Sequence, residues 1–172
     1  MSEKELGVAV VGSGRIGTLR ASMSARHPSV KFLAVSDKDP TRADVLKQAV
    51  GADLASGDNQ EVIAHPSVTS VFVSTPEHDH LEAVLAAIEL GKPVFLEKPV
   101  ALTIEDADKI VEASERTGTE VVVGYSRRHD RRWMLTKEHI AQGRLGEILG
   151  IQSRVYNPRT QMLQILKRSP EA

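Results

Sequence analysis

Gly12-Ser13-Gly14-Arg15-Ile16-Gly17 has the spacing G-x-G-x-x-G and follows directly on an apolar stretch. If a phosphate lies here, each glycine has its own task. Gly12 permits a tight turn, Gly14 lets the backbone approach a pyrophosphate, and Gly17 lets a helix pack against the preceding strand. Ser13, Arg15 and Ile16 complete the loop, and the N–H groups at the helix start bind the phosphates. The pattern by itself is weak. A glycine turn without a ligand, or the partly similar loop of an S-adenosylmethionine-dependent methyltransferase, also fits it. Asp37 adds weight, because it closes the next apolar run about where an acidic side chain meets the adenosine ribose. A 2′-phosphate would face like charge there, which favours NAD over NADP. Lys38 works the other way, since its cation offsets that repulsion, and NADP remains the alternative cofactor. Arg42 reads equally as a cover for the adenine and as part of a solvated helix face.

Such residues need strands and helices to hold them. Strand-like runs occur at Leu6–Val11, Phe32–Ser36, Val71–Ser74, Val94–Leu96 and Val121–Val123. Most are continuously apolar rather than alternating, as strands buried on both faces of a parallel sheet are. Helical patterns separate them. Leu81, Val84, Leu85 and Ile88 share a face, and Gly91 and Pro93 stop that helix. Thr103 and Asp106 stand in capping-box spacing ahead of a helix that turns Ala107, Ile110 and Val111 inward and ends at Gly118. Strand and helix in alternation predict a doubly wound α/β Rossmann domain over residues 1–126. Residues 127–172 read as a hinge and the beginning of a second α+β domain. There the sequence predicts a helix over Trp133–Gln142, closed by Gly143, with Trp133 packed under the hinge, and then a long strand over Glu147–Tyr156. An apolar cluster of Met162, Leu163, Ile165 and Leu166 follows.

Three further segments fall at the carboxyl ends of predicted strands, where ligands bind in open α/β sheets. They are Ser74-Thr75-Pro76-Glu77-His78-Asp79-His80, Glu97-Lys98-Pro99 and Gly124-Tyr125-Ser126-Arg127-Arg128. With the glycine loop ahead of them, they resemble the glucose–fructose oxidoreductase/inositol dehydrogenase (Gfo/Idh/MocA) family over roughly residues 5 to 156. The resemblance rests on G-x-G-x-x-G, T-P-x-x-x-H and E-K-P in that order, with a glycine-aromatic-x-arginine-arginine segment after them. It implies hydride transfer between nicotinamide C4 and a carbon bearing a hydroxyl, on a polyol or sugar-like substrate. Ser74, Thr75 and Pro76 would line the nicotinamide ribose side, with His80 at the start of the next helix. Glu97 and Lys98 would reach the ribose and the reacting centre. Pro99 would follow a cis bond, Lys98 aimed into the site to orient the substrate hydroxyl, and desolvation would bring its amine toward the working range. Members of that family are about twice as long, and their second domain supplies the expected general base and much of an oligomer interface. Leu166-Lys167-Arg168-Ser169 resembles the stretch ahead of that missing segment. The expectation is therefore a catalytically incomplete portion of a dehydrogenase that forms homo-oligomers at full length. A dedicated NAD-binding module with a regulatory or sensing role is the alternative.

Composition excludes several other classes. Of 172 residues, 22 are Lys or Arg and 23 Asp or Glu, so no basic excess points to nucleic acid. Cysteine is absent, which rules out disulfides, a Cys nucleophile and thiolate metal sites. The polar opening Met1–Glu5 leads into an apolar run too short for a secretory signal or a membrane span, so a cytoplasmic protein is expected. His78, Asp79 and His80 suggest a metal only superficially, because residues two apart do not share a helix face; no metal site is expected. His27, His65 and His139 read as surface residues. The arginines between Arg127 and Arg132 read as a solvated hinge at least as readily as a phosphate contact.

Overall fold

A computed structural model describes residues 5–156 together with 159, 160 and 163. Six strands form one sheet: β1 (Leu6–Val11), β2 (Val30–Ser36), β3 (Leu54–Ser56), β4 (Ser70–Val73), β5 (Val94–Leu96) and β6 (Val121–Val123). Every neighbouring pair is parallel, and the order across the sheet is β3-β2-β1-β4-β5-β6. Parallel neighbours require crossovers, and helices supply them: α1 (Arg15–Ala25), α2 (Pro40–Val50), α3 (Asn59–Ala64), α4 (His80–Glu89) and α5 (Ile104–Thr117). The winding reverses between β1 and β4, so the loops leaving those two strands part and open a crevice at the carboxyl edge.

Alternation along β1 shows how both faces are covered. Val8 and Val10 pack with Ala21 of α1 and Leu46 of α2. Ala9 and Val11 face the other way, in a cluster with Ile63 of α3, Val84 and Ile88 of α4, and Ile110 of α5. Val11, Val73 and Leu96, the last residues of β1, β4 and β5, are 0% exposed. Each such aliphatic side chain contributes roughly 1.5–3 kcal/mol relative to exposure, and together they hold the strand ends from which the loops spring.

Local signals locate the helix ends. Thr103 Oγ1 accepts from the Asp106 N–H at 3.2 Å, and Gly118 ends α5 at φ +70°. The inward face of α5 differs from expectation: Ile110 and Ala113 are buried, whereas Val111 is 50% exposed. Val111 sits a hundred-degree step round from Ile110, off the stripe that Ile110 and Ala113 share. Strand β3 and helix α3 carry no long apolar run; β3 is three half-buried residues held by pairing Leu54 with Ala34 of β2. His65 is half-buried rather than superficial, its ring stacked on Phe32 with centroids 4.5 Å apart.

By its contacts the chain divides into two units, residues 1–126 and 127–172. In the second, α6 (Arg131–Ala141) begins two residues ahead of the predicted start, because Asp130 caps it by accepting from the Arg132 N–H at 3.0 Å. Trp133 is 42% exposed and so is not packed away as expected. The predicted strand Glu147–Tyr156 does not form: residues 147–156 adopt no regular element, and Leu149 is 90% exposed. A strand is held by hydrogen bonds to a neighbour, and no described strand pairs with this segment. Apart from Leu163, the apolar cluster around Met162 and the Leu166–Ser169 stretch lie outside the described residues.

Candidate cofactor-binding and active site

The glycine loop joins β1 to α1 as its spacing predicts. Gly12 has φ +94°, and a Cβ there would stand 2.7 Å from the Ser74 carbonyl oxygen. A Cβ on Gly17 would overlap the Gly12 carbonyl oxygen, so both positions are closed to larger residues. Gly14 is the opposite case: a Cβ there meets nothing within 4 Å, and the space it faces is open. Arg15 is exposed and Ile16 half-buried beside it. Gly14 is the N-cap of α1, with no side-chain cap and no acidic residue in the first turn. The first N–H groups of a helix have no partner inside it, and those of α1 follow directly on the loop.

Asp37 is tied into this loop. Its Oδ2 accepts from the Ser13 N–H at 2.9 Å and its Oδ1 from the Asp39 N–H at 3.0 Å. Each carboxylate oxygen keeps a further lone pair for a ribose hydroxyl. Ser13 Oγ donates to the Ser36 carbonyl at 3.0 Å, so β2 and the loop are doubly joined. Lys38 pairs with Asp79 at 2.6 Å, and that hydrogen bond raises its amine above the ordinary lysine range. Arg42 lies 3.6 Å from Asp39 and lines a groove of about 230 Å³ with Ser13, Thr18, Thr41 and Val45, between α1 and α2.

The segment after β4 borders the crevice from the other side. Ser74 Oγ and Thr75 Oγ1 are buried and have no hydrogen-bond partner among the described residues. Pro76 is exposed. His80, by contrast, is 1% exposed and does not present its ring outward. Its Nδ1 is 3.0 Å from the Pro99 carbonyl and its Nε2 3.2 Å from the Thr75 carbonyl. It therefore lies between the Thr75 loop and the Pro99 loop, with a backbone carbonyl within hydrogen-bond reach of each ring nitrogen. His78 is exposed, with Nε2 3.6 Å from Asp79, so the three residues do not converge on a point. Among the described residues no group of three or more His, Cys, Asp or Glu side chains is placed to hold a metal.

After β5 come Glu97 and Lys98, and the Lys98–Pro99 peptide bond is cis. Lys98 is exposed, so the described residues do not supply the burial expected around it. Glu97 is held by Arg20 of α1, whose Nε donates to Oε1 at 2.9 Å while a second guanidinium nitrogen donates to the same oxygen. The guanidinium also lies over the Phe95 ring, 4.6 Å from its centroid, a favourable cation–π placement. Sequence reading missed Arg20. Its signal was faint: Arg20 stands three residues after Gly17 and so shares the helix face that Gly17 turns to the sheet. The residues present fit a dinucleotide on three counts: the open space at Gly14, the uncapped start of α1, and two buried hydroxyls without a partner among the described residues. Gly12 to Gly17, Asp37, Ser74 and Thr75 are those that would hold it.

Residues 6–125 match the family described as "Oxidoreductase family, NAD-binding Rossmann fold", Gfo/Idh/MocA. The chain is 33% identical over 149 residues to the myo-inositol 2-dehydrogenase of Thermotoga maritima, covering 86% of this chain and 45% of that protein. It is 32% identical over 146 residues to the scyllo-inositol 2-dehydrogenase (NAD(+)) of Bacillus subtilis, covering 84% and 43%. Among solved structures, scyllo-inositol dehydrogenase from Lactobacillus casei with bound NAD(H) and scyllo-inositol superposes with a TM-score of 0.89 at 27% identity. That match covers 98% of this chain and 50% of that one. The chain thus spans less than half the length of these curated relatives. No described helix is long and apolar enough to cross a membrane. Loop, strand order and family match agree, and the chain belongs to the Gfo/Idh/MocA oxidoreductases, whose NAD-binding Rossmann fold occupies residues 6–125.

Proposed function

We propose that this chain supplies the cofactor half of a dehydrogenase that moves hydride between nicotinamide and a hydroxyl carbon of an inositol-like or sugar-like substrate. One observation carries this: β1, β4 and β5 are neighbours in the sheet, and their carboxyl ends present the glycine loop, Ser74-Thr75-Pro76 and Glu97-Lys98 in a row. That row has the order a dinucleotide needs, with pyrophosphate at the glycine loop, adenosine toward Asp37, and the nicotinamide end toward Lys98. When bound, the nicotinamide takes up or gives hydride at C4. Lys98, exposed beside that end, orients the substrate hydroxyl, and Arg20 keeps Glu97 in place next to it. His80 sets the spacing between the Thr75 and Pro99 loops. Residues 127–172 are the beginning of the substrate domain. The kinship with inositol dehydrogenases supports a polyol substrate.

The test separates binding from turnover. NADH fluorescence titration of the 172-residue chain should show saturable binding. Polyol oxidation should be undetectable, because positioning is worth about 7–11 kcal/mol and a placed acid–base group another 10²–10⁴-fold, and both need a second wall of the cleft. At the length of its relatives the protein should oxidise inositols or aldoses and lose most of that activity on Lys98→Ala. Steady NADH production by the short chain, abolished by Lys98→Ala, would overturn the assignment of the cleft to two halves.

A further inference from the structure

Resting on the cleft being a dinucleotide site, we infer that Asp79 is a specificity-determining residue that favours NAD over NADP by occupying Lys38. Asp79 is the N-cap residue of α4, where an aspartate ordinarily accepts from an N–H two or three residues on. It makes no such cap. Its carboxylate reaches instead to Lys38, with Oδ1 2.6 Å from Nζ; the Asp79 side chain is 19% exposed and that of Lys38 69%. Glu82, in the first turn of α4, adds a further attraction on the same amine, and His78 Nε2 lies 3.6 Å from the other Asp79 oxygen.

The pair spans a particular place. Lys38 follows Asp37 at the end of β2, and Asp79 follows β4; these strands flank β1 on either side. The contact therefore reaches across the end of β1, beside the glycine loop and the oxygens of Asp37. An adenosine ribose held at Asp37 would carry its 2′ substituent into this neighbourhood. A 2′-hydroxyl asks nothing of Lys38. A 2′-phosphate, with nearly two negative charges at neutral pH, is repelled by Asp37 and needs a cation to offset it. Lys38 is that cation, and Asp79 keeps it engaged. The cost of the Lys38–Asp79 pair thus falls on NADP alone. A single solvent-exposed charge near 4 Å corresponds to about fivefold in an equilibrium, less at high salt.

NADH and NADPH titrations by fluorescence test this on the unaltered chain, Asp79→Asn, Asp79→Glu and the double variant Lys38→Met/Asp79→Asn, each checked for folding by circular dichroism. The expected result is a shift of the NADPH-to-NADH affinity ratio toward NADPH by about fivefold in Asp79→Asn. Asp79→Glu should keep the original ratio, and loss of Lys38 should cancel the gain. An unchanged ratio in Asp79→Asn, or a gain that survives Lys38→Met, overturns the inference while leaving the cofactor assignment standing. Binding of neither dinucleotide to the unaltered chain overturns the cofactor assignment and the inference with it.

Discussion

Replacing His80 by leucine tests how much the buried imidazole between the two loops contributes. The ring is 1% exposed and lies 3.0 Å from the Pro99 carbonyl and 3.2 Å from the Thr75 carbonyl. A neutral imidazole carries one N–H, so in either tautomer it donates to one of these carbonyls. Leucine has similar bulk, and the cavity cost of an alanine, about 2–5 kcal/mol, is avoided. What remains is one lost hydrogen bond and a part-buried carbonyl without a donor, together about 1–3 kcal/mol. In a chain of this size each kcal/mol moves Tm by roughly 2–4 °C, so a central loss of about 2 kcal/mol predicts a fall of roughly 4–8 °C. Thermal unfolding by circular dichroism reads it. NADH affinity should fall as well, since the loop whose carbonyl the ring holds is released from α4, and His80→Asn, which restores a donor, should recover part of both effects. An unchanged Tm with unchanged NADH affinity would refute the linking role.

Two glycines should respond in opposite ways. Gly14→Val, at a position where a Cβ meets nothing within 4 Å, should keep the fold by circular dichroism and abolish NADH binding in the titration. Gly17→Ala, whose Cβ would overlap the Gly12 carbonyl, should lower Tm even without ligand. The unaltered chain should bind NADH more tightly than NADPH, and Asp37→Asn should narrow that gap in paired titrations; equal affinities at the outset would remove Asp37 from the site. The last expectation concerns pH. The Asp130 carboxylate is held below its ordinary 3.8, first by the hydrogen bond from the Arg132 side chain and then by the Arg132 N–H that it caps. A lowered folded-state value means that its stabilisation of α6 is complete above 3.8 and is lost as pH falls through the lower value. Hydrogen exchange of the α6 amides should therefore accelerate only below the ordinary carboxylate range, and in Asp130→Ala at neutral pH also.

Much of this protein was legible residue by residue. The glycine loop, the buried strands Leu6–Val11 and Val94–Leu96, and the Thr103 cap of α5 are local matters, in which side-chain type and spacing over a few residues dictate the backbone. The place of Asp37 at the end of the strand after the loop was legible too, since a strand, a helix and a second parallel strand must return the chain beside its start, but its hydrogen bond to the Ser13 N–H was not. The Glu147–Tyr156 segment shows the limit: its residues favour a strand, but an extended segment becomes one only beside a partner, and none is described. The same limit governs the site. Arg20 meets Glu97 across 77 positions of sequence and Lys38 meets Asp79 across 41. His80 is turned inward by two carbonyls, 5 and 19 residues away. The order β2-β1-β4-β5 in the sheet decides these partners. Sequence announced which charges and rings were available, but only the packing of helices onto that sheet determined which of them lie within hydrogen-bond reach, because neighbours across parallel strands are set by the crossovers and not by distance along the chain.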